Sequence, residues 1–310
     1  VALDVIGMLP GLAEHYDEPF GDSSAIPTYR VAQVAAPHVR VALTGDGGDE
    51  TFAGYDRYRV ALALSRLAVL PKPVRKGLVH ARDAARRVSG KAVARSDSNT
   101  SLAETVGLSA DEQYLRGLSQ SDLRLRSRLM GGDPIADQDA YLLDALAAGP
   151  TDVLDRMLHA DTMTYLPEDL LVKMDRATMA HSLEARAPLL DHKLVEFTGR
   201  LPAARKMQAG TTKILLREIA GTLLPPSLLD RPKYGFAAPL EGWFREDLAG
   251  VYRDVVLAPD ARLRDHLDQE VAAGMLTEHL EGRADLSRRM WLLLAFELWA
   301  RRWLEVGVRA

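Results

Sequence analysis

Three acidic side chains follow a short apolar run near the beginning of the chain. Residues 39–43 are β-branched and apolar, which predicts a buried strand, and residues 44–50 then read Thr-Gly-Asp-Gly-Gly-Asp-Glu. A helical pattern follows from Thr51. A strand that ends in a glycine turn before a helix is where open α/β sheets bind ligands, because backbone N–H groups converge there. Residues 44–50 are called the acidic turn below.

The charges of the acidic turn restrict the ligand that it could bind. Asp46, Asp49 and Glu50 would repel a bare phosphate. A Mg²⁺ ion between carboxylate and phosphate, or an ammonium group on a substrate, would make the arrangement favourable. The turn also contains glycines that tolerate positive φ and let a ligand approach the backbone, namely Gly45, Gly47 and Gly48. The alternative interpretation is an acidic surface turn in which Asp caps the next helix.

Two lysines far along the chain could complement these carboxylates. Lys213 stands at the predicted start of a helix, where the helix dipole disfavours a cation unless a phosphate binds there as well. Lys233 lies in a loop punctuated by Pro232 and Gly235, as catalytic residues often do. Either lysine alone is more typical of a surface charge. Taken with the acidic turn, they favour phosphoryl or nucleotidyl transfer, which needs cations on the departing phosphates and a metal ligand beside them.

A third charged segment spans residues 165–191. It is apolar enough to be buried, yet it contains Lys173, Asp175, Arg176, Glu184, Arg186 and Asp191. Charges in such a segment must pair if they are buried. The sequence leaves two interpretations open: an ion-pair network that joins helices, or the polar wall of a pocket.

Composition excludes several functional classes. The 310 residues include 47% apolar and 26% charged residues, as in an ordinary globular protein, and contain no apolar run near the ~20 residues of a membrane-spanning helix. A net charge of −4 gives no overall field to attract nucleic acid or membrane, so we expect neither as a partner and expect a cytoplasmic location. The absence of cysteine excludes disulfides and a cysteine nucleophile, and the histidine spacing predicts no zinc site.

The remaining pattern is mainly helical. Helices are predicted over about 25–36 and 51–70, and strand-like alternation is hard to find after Thr44. A basic stretch over 72–95 lacks interleaved aromatic residues, which favours a solvated helix face over a nucleic-acid surface. A last helix over about 286–306 has an apolar stripe, predicted to pack in the core, that contains Trp291, Phe296, Trp299 and Trp303.

Together these segments resemble the synthetase domain of the glutamine-hydrolysing asparagine synthetases. The acidic turn with Phe52 and Gly54-Tyr55 is similar to the S-G-[ED]-G-x-D-E-x-F-x-G-Y signature of that family. Residues 165–191 resemble its second signature, and the segments that begin at Lys213 and Lys233 resemble its third. The matches follow the family's order from about Asp17 to Trp243.

The resemblance implies an α/β fold with a parallel sheet of the adenine nucleotide alpha hydrolase type. Residues 1–60 would be a remnant of the nucleotide-binding α/β core, and residues 61–310 a helical region with few strands. The family's reaction is ATP-dependent amidation in two steps. The side-chain carboxylate of aspartate attacks the α-phosphorus of ATP and releases pyrophosphate, and ammonia then displaces AMP.

The resemblance also implies residue roles. ATP and Mg²⁺ are the expected cofactors, with contacts to ATP from Thr44, Gly45, Gly47 and Asp49. Asp46 would support formation of the aspartyl adenylate, and Asp49 would hold Mg²⁺ and pyrophosphate. Lys233 would stabilise charge at the α-phosphorus, with Lys213 on the departing phosphates.

Two family features are missing from this sequence. The family binds ATP through an S-G-G-x-D-S loop, and no S-G-G occurs here. Its ammonia comes from glutamine by way of an N-terminal cysteine on another domain, and this chain has no cysteine. We therefore expect the C-terminal part of a synthetase domain, inactive alone.

Three further questions stay open at this stage. The acceptor could be a carboxylate other than aspartate. The chain could also be a non-catalytic helical interaction module that uses the basic stretch and the tryptophan helix. A homodimer is left open, beside small-molecule substrates as the expected partners.

Overall fold

A computed structural model describes residues 4–67, 71, 73–74, 77, 108–119, 123–132, 139–229 and 238–304. Lys233, with the loop around it, and most of the basic stretch over 72–95 lie outside the described residues. The described part is mostly helical, with one small parallel sheet.

The elements before residue 164 are α1 (Val5–His15), α2 (Ala25–Ala35), β1 (Val41–Leu43), α3 (Gly48–Phe52), α4 (Asp56–Leu67), α5 (Ala110–Leu118), α6 (Leu123–Met130), α7 (Ala140–Ala148) and α8 (Val153–Met163). A π-helix (Leu166–Leu171) leads into α9 (Val172–Met179), β2 (Glu184–Arg186), a 3₁₀-helix (Pro188–Leu190), α10 (His192–Gly199), α11 (Ala203–Lys206), α12 (Ile214–Leu223) and α13 (Pro226–Leu229). The last elements are α14 (Leu240–Arg245), α15 (Asp247–Val255), a second 3₁₀-helix (Arg262–Asp265), α16 (Gln269–Leu280) and α17 (Ser287–Trp303).

The sheet joins the acidic turn to the third charged segment. β1 and β2 pair in parallel, with Val41 opposite Glu184 and Leu43 opposite Arg186. The sequence pattern missed β2 because a three-residue Glu-Ala-Arg strand has too little apolar alternation to be recognised. The parallel pairing brings a segment far along the chain beside the strand that leads into the turn.

The strand predicted over residues 39–43 forms over 41–43, but the prediction that it is buried is wrong. Leu43 is 75% exposed and Val41 is 40% exposed. They share one face of the sheet, because side chains alternate along a strand. No element in the described ranges packs over that face closely enough to bury them.

The single helix predicted over 51–70 is two helices. α3 ends at Phe52, and Ala53 then adopts a left-handed conformation with φ of 56°. α4 then begins at Asp56. The break places Gly54 and Tyr55 in a short connection beside the acidic turn.

The last helix packs in the core, as predicted from its apolar stripe. Trp291 is 4% exposed within a cluster formed mainly by α1, α14, α15, α16 and α17. Indole N–H groups of Trp299 and Trp303 donate to the backbone oxygens of Asp17 and Ala13, at 2.9 Å each. Phe296 departs from the prediction, since it is 37% exposed. A second apolar cluster joins α4, α5, α7 and α8 behind the acidic turn.

No helix within the described ranges has the length and apolar character that crossing a membrane requires.

Glu297 of α17 gives a stability prediction. Its carboxylate is fully buried, accepts the backbone N–H groups of Arg262 and Leu263 at 2.9 Å, and pairs with Arg301 at 2.8 Å. We expect Glu297→Gln to lower the free energy of unfolding by about 2–3 kcal/mol, because charge-assisted hydrogen bonds to buried donors are lost. Chemical denaturation measures this.

An exposed pair of the same spacing is the control for that experiment. Glu241 pairs with Arg245 across one helical turn, and about half of each side chain is exposed. Glu241→Gln should change the free energy of unfolding by less than about 0.5 kcal/mol. Equal effects of the two substitutions would contradict the role given to burial.

Candidate active site

The acidic turn forms the strand–turn–helix arrangement that the sequence predicts. Directly after β1, the Thr44 N–H donates to the backbone oxygen of Arg186 at 2.8 Å, and α3 begins at Gly48. Gly47 has a φ of 81°, and a Cβ there would lie 2.1 Å from Leu190 Cδ2, so only glycine fits. The Thr44 hydroxyl donates to Asp46 Oδ2 at 2.7 Å and orients that carboxylate.

Lys213 lies against the acidic turn. Its Nζ is 3.0 Å from Asp49 Oδ1, and its side chain and that of Asp49 are 29% and 22% exposed. Its backbone N–H donates to the Phe52 oxygen at the end of α3, at 3.2 Å. Lys213 is the N-cap of α12 and has a left-handed backbone, with φ of 54°. A non-glycine residue in that region is uncommon and must be held there by its surroundings.

Gly54 leaves the space in which Asp49 and Lys213 meet. A Cβ at this position would lie 1.9 Å from Asp49 Oδ1 and 2.1 Å from Lys213 Cε. The structure therefore brings together Thr44, Gly45, Gly47, Asp46, Asp49 and Lys213 of the predicted set, whereas Lys233 lies outside the described residues.

Glu50 is the buried acid of the turn. It is 1% exposed, and its Oε1 accepts the hydroxyl of Tyr55. Burial raises the pKa of the Glu50 carboxyl, and the hydrogen bond from Tyr55 partly offsets that rise. Its side chain faces into the protein, whereas Asp49, on the same short helix, reaches Lys213.

Only part of the third charged segment forms an ion-pair network, which was one of the two interpretations left open by the sequence. Lys173 of α9 donates to Asp22 Oδ2 at 2.7 Å and to Ser24 Oγ at 2.8 Å, and Arg176 pairs with Asp17 at 3.0 Å. Lys173 holds the pKa of Asp22 below its ordinary value despite the opposing effect of burial. These contacts fasten α9 to the segment that precedes α2.

Three other charges of that segment do not join helices. Glu184 and Arg186 pair with each other at 2.7 Å on β2 and are 54% and 63% exposed. Asp191 caps α10 by accepting the backbone N–H groups of Lys193 and Leu194. For these three residues the network interpretation is wrong, since a surface pair and a helix cap already account for their charges.

Asp169, in the π-helix, is a half-buried carboxyl that the sequence pattern does not distinguish. Burial and then the nearby Asp22 carboxylate raise the pKa of Asp169 to about 7. Its Oδ1 is buried without a hydrogen-bond partner in the described part of the chain. A π-helix contains an extra residue per turn and is common at functional sites, but nothing in the sequence pattern distinguishes it from an α-helix.

Gly54→Ala tests the close contact of Asp49 with Lys213. We expect it to lower the free energy of unfolding by about 1–3 kcal/mol, because the added methyl group must displace one of the two side chains. Gly250→Ala is the control, since its Cβ would meet no atom within 4 Å. Chemical denaturation of both variants measures the difference, and equal effects would contradict the packing described here.

Asp169→Asn tests the half-buried carboxyl. The raised pKa favours the protonated form of Asp169 in the folded state. The contribution of Asp169 to stability therefore falls as the pH rises from the ordinary pKa of an aspartate to about 7. The variant should therefore gain stability relative to the wild type, on the order of 1 kcal/mol per pH unit between about pH 5 and 7.

Denaturation at several pH values measures that slope. Leu170→Ala removes no titratable group from the same π-helix, so it should shift the stability by a constant amount across the range. If the stability of Asp169→Asn changed with pH in parallel with that of the wild type, the raised pKa of Asp169 would be contradicted.

Comparison with known proteins identifies the family to which the chain belongs. The family model described as asparagine synthase matches residues 2–301. A putative glutamine-hydrolysing asparagine synthetase of Mycobacterium tuberculosis is 36% identical over 309 residues, covering 98% of this chain and 46% of that protein. Asparagine synthetase 1 (glutamine-hydrolysing) of Bacillus subtilis is 30% identical over 293 residues, covering 94% of this chain and 45% of that protein.

A more distant relative has a different name. An amidase of Penicillium rubens, chyE, is 21% identical over 253 residues, covering 74% of this chain and 37% of that protein. The chain thus spans about half the length of the curated asparagine synthetases that it matches most extensively. The match of the family model over nearly the whole sequence shows that the chain belongs to the asparagine synthase family.

Proposed function

We propose that this chain is the C-terminal part of a synthetase domain that converts aspartate to asparagine with ATP, using ammonia from glutamine hydrolysed on another domain. The observation that supports this most is the contact of Lys213 Nζ with Asp49 Oδ1, 3.0 Å apart at the carboxyl end of a parallel strand. A cation and a carboxylate in that position suit a metal-bound phosphate.

Pyrophosphate and Mg²⁺ bind at this contact in the proposal. Asp49 would hold Mg²⁺, which uses one or two carboxylates together with substrate phosphates rather than a complete protein cage. Among the residues that the structure describes, no group of three or more His, Cys, Asp or Glu side chains is placed to hold a metal ion, so the other ligands of Mg²⁺ would come from phosphate oxygens and water. When bound, the ion neutralises charge on the phosphate oxygens. Lys213 supplies a second positive charge to the departing pyrophosphate.

The activation step uses the first half of the turn. The carboxylate oxygen of aspartate forms a bond to the α-phosphorus, and the bond from that phosphorus to the bridging oxygen breaks. Thr44, Gly45 and Gly47 contact ATP, and Asp46, oriented by the Thr44 hydroxyl, supports formation of the adenylate. Ammonia then attacks the acyl carbon, AMP departs, and the attacking nitrogen loses a proton. The role of Lys233 at the α-phosphorus stays a prediction from the sequence.

We also propose that β1 and β2 belong to a larger parallel sheet of the adenine nucleotide alpha hydrolase type. Parallel strands are normally covered on both faces, whereas Leu43 and Val41 are exposed here. Helices that connect further strands of a longer polypeptide would cover that face. In this proposal β2 belongs with residues 1–60 in the nucleotide-binding core, although the remainder of 61–310 is a helical region. The cytoplasmic location and the homodimer stay predictions.

A different carboxylate acceptor is the second candidate. The relative named as an amidase supports keeping this candidate, because a protein similar to this chain has a name other than asparagine synthetase. Ammonium-dependent release of pyrophosphate from ATP by the full-length protein distinguishes the two candidates. A rate that rises with aspartate supports asparagine synthesis, and a rate that ignores aspartate supports another acceptor.

Variants of the turn test the reaction itself. In the full-length protein, Lys213→Met and Asp49→Asn should each lower kcat for pyrophosphate release by about 100-fold or more, because each removes charge stabilisation at the departing phosphates. Lys193→Met, at an exposed position on α10, should stay within about twofold of the wild type. Full activity of Lys213→Met would contradict the proposal.

A further inference from the structure

A buried polar network lies behind the acidic turn and has no role in the reaction just described. At its centre is Asp161 of α8, which is fully buried. Its Oδ2 accepts Arg57 Nη2 at 2.6 Å and the hydroxyl of Tyr58, and its Oδ1 accepts the hydroxyl of Tyr114. These residues are called the Asp161 network. They connect α4, α5 and α8 at a single carboxylate.

Arg57 extends the network toward the acidic turn. Its guanidinium carbon is 3.9 Å from the centre of the Tyr55 ring and 4.6 Å from that of Tyr165. The two rings make an edge-to-face contact with centroids 6.0 Å apart. A planar cation held by a carboxylate at one side and by aromatic faces is restricted in position and orientation.

Tyr55 completes the path. Its hydroxyl donates to Glu50, which shares the five-residue helix α3 with Asp49. A continuous series of contacts therefore runs from Asp161 through Arg57, Tyr55 and Glu50 to the residue that meets Lys213. α8 also packs directly on α3.

We propose that Asp161 is a positioning residue, acting through Arg57 and Tyr55 to fix α3 and so hold Asp49 opposite Lys213. The catalytic consequence rests on the proposed function, whereas the effect on the geometry of the turn does not. A short helix flanked by left-handed residues has few contacts of its own, so its position must be set from outside.

The chemistry of the network favours a positioning role over simple stabilisation. A buried ion pair is costly to desolvate, and an apolar replacement of the same volume is often as stable. The helices concerned are already packed through apolar residues such as Leu154 and Met157. A hydrogen-bonded carboxylate adds directionality, which apolar packing does not provide.

The test combines two network variants with two controls. Asp161→Asn removes the charge that holds Arg57, and Tyr114→Phe removes a single donor while leaving the Arg57 pair intact. Asp111→Asn is the control for the first variant, because Asp111 of α5 pairs with Arg156 of α8 at 3.0 Å and this pair does not reach α4. Tyr252→Phe is the control for the second, since its buried hydroxyl donates to Ala272 in the other apolar cluster.

Two readouts separate geometry from stability. Glycine-selective ¹⁵N NMR of the intact chain reports on the backbone of Gly45, Gly47, Gly48 and Gly54, and thermal unfolding reports on stability. Steady-state kinetics of the full-length protein give kcat and KM. We expect both network variants to shift the glycine resonances, and Asp161→Asn to lower kcat by about 10- to 100-fold, because small displacements of reacting groups are costly.

The controls should lose stability without moving those resonances or kcat. If Asp161→Asn does not fold, Tyr114→Phe carries the test. Combining Tyr114→Phe with Tyr55→Phe should lower kcat less than the product of the two single effects, because both act along one path. Unchanged glycine resonances in a folded network variant would overturn the proposal. If the network variants shift the glycine resonances but the wild-type protein releases no pyrophosphate, the positioning role is supported and the proposed function is contradicted.

Discussion

The ion pair between Lys213 and Asp49 is the contact on which the site depends. The two residues lie on different helices, α12 and α3, and each is half-buried where the sheet ends. An ion pair of this exposure contributes little to stability by itself. Its significance is positional, because it brings a cation and a carboxylate that could bind a metal ion to one point beside the backbone N–H groups of a glycine turn.

The surrounding residues restrict this contact from several directions. Gly54 leaves the space for it, and the left-handed backbone of Lys213, fastened to the Phe52 oxygen, turns α12 toward α3. The buried Glu50 and the Asp161 network hold α3 from the opposite side. Strained and closely packed backbone of this kind is retained where a site must be preorganised.

The sequence predicted the residues of this contact better than the structure that supports them. The acidic turn and Lys213 could be found because local residue types, glycine spacing and a helix start all point to one kind of ligand. β2 could not be found, because a charged three-residue strand is defined by its partner rather than by its own pattern. The prediction that residues 39–43 are buried was wrong for a related reason. Apolar character indicates what a strand can pack against, not which neighbours are present.

Long-range pairing of charges was the least predictable feature. Lys173 could be predicted to need a partner, but Asp22 lies in a distant segment with no signal of its own. Asp161 did leave a signal, because it continues the buried positions Leu154, Met157 and Leu158 at helical spacing. A lone carboxylate on an apolar helix face requires buried donors, and the position of those donors depends on the tertiary structure.

The central claim is that cleavage at this site occurs between the α- and β-phosphates, with the acceptor carboxylate as the attacking group. Its most direct test is to incubate the full-length protein with ATP, ammonia and aspartate labelled with ¹⁸O in the side-chain carboxylate, and to analyse the products by mass spectrometry. We expect one ¹⁸O atom in AMP and none in inorganic phosphate. Unlabelled AMP, or ADP with labelled inorganic phosphate, would contradict it.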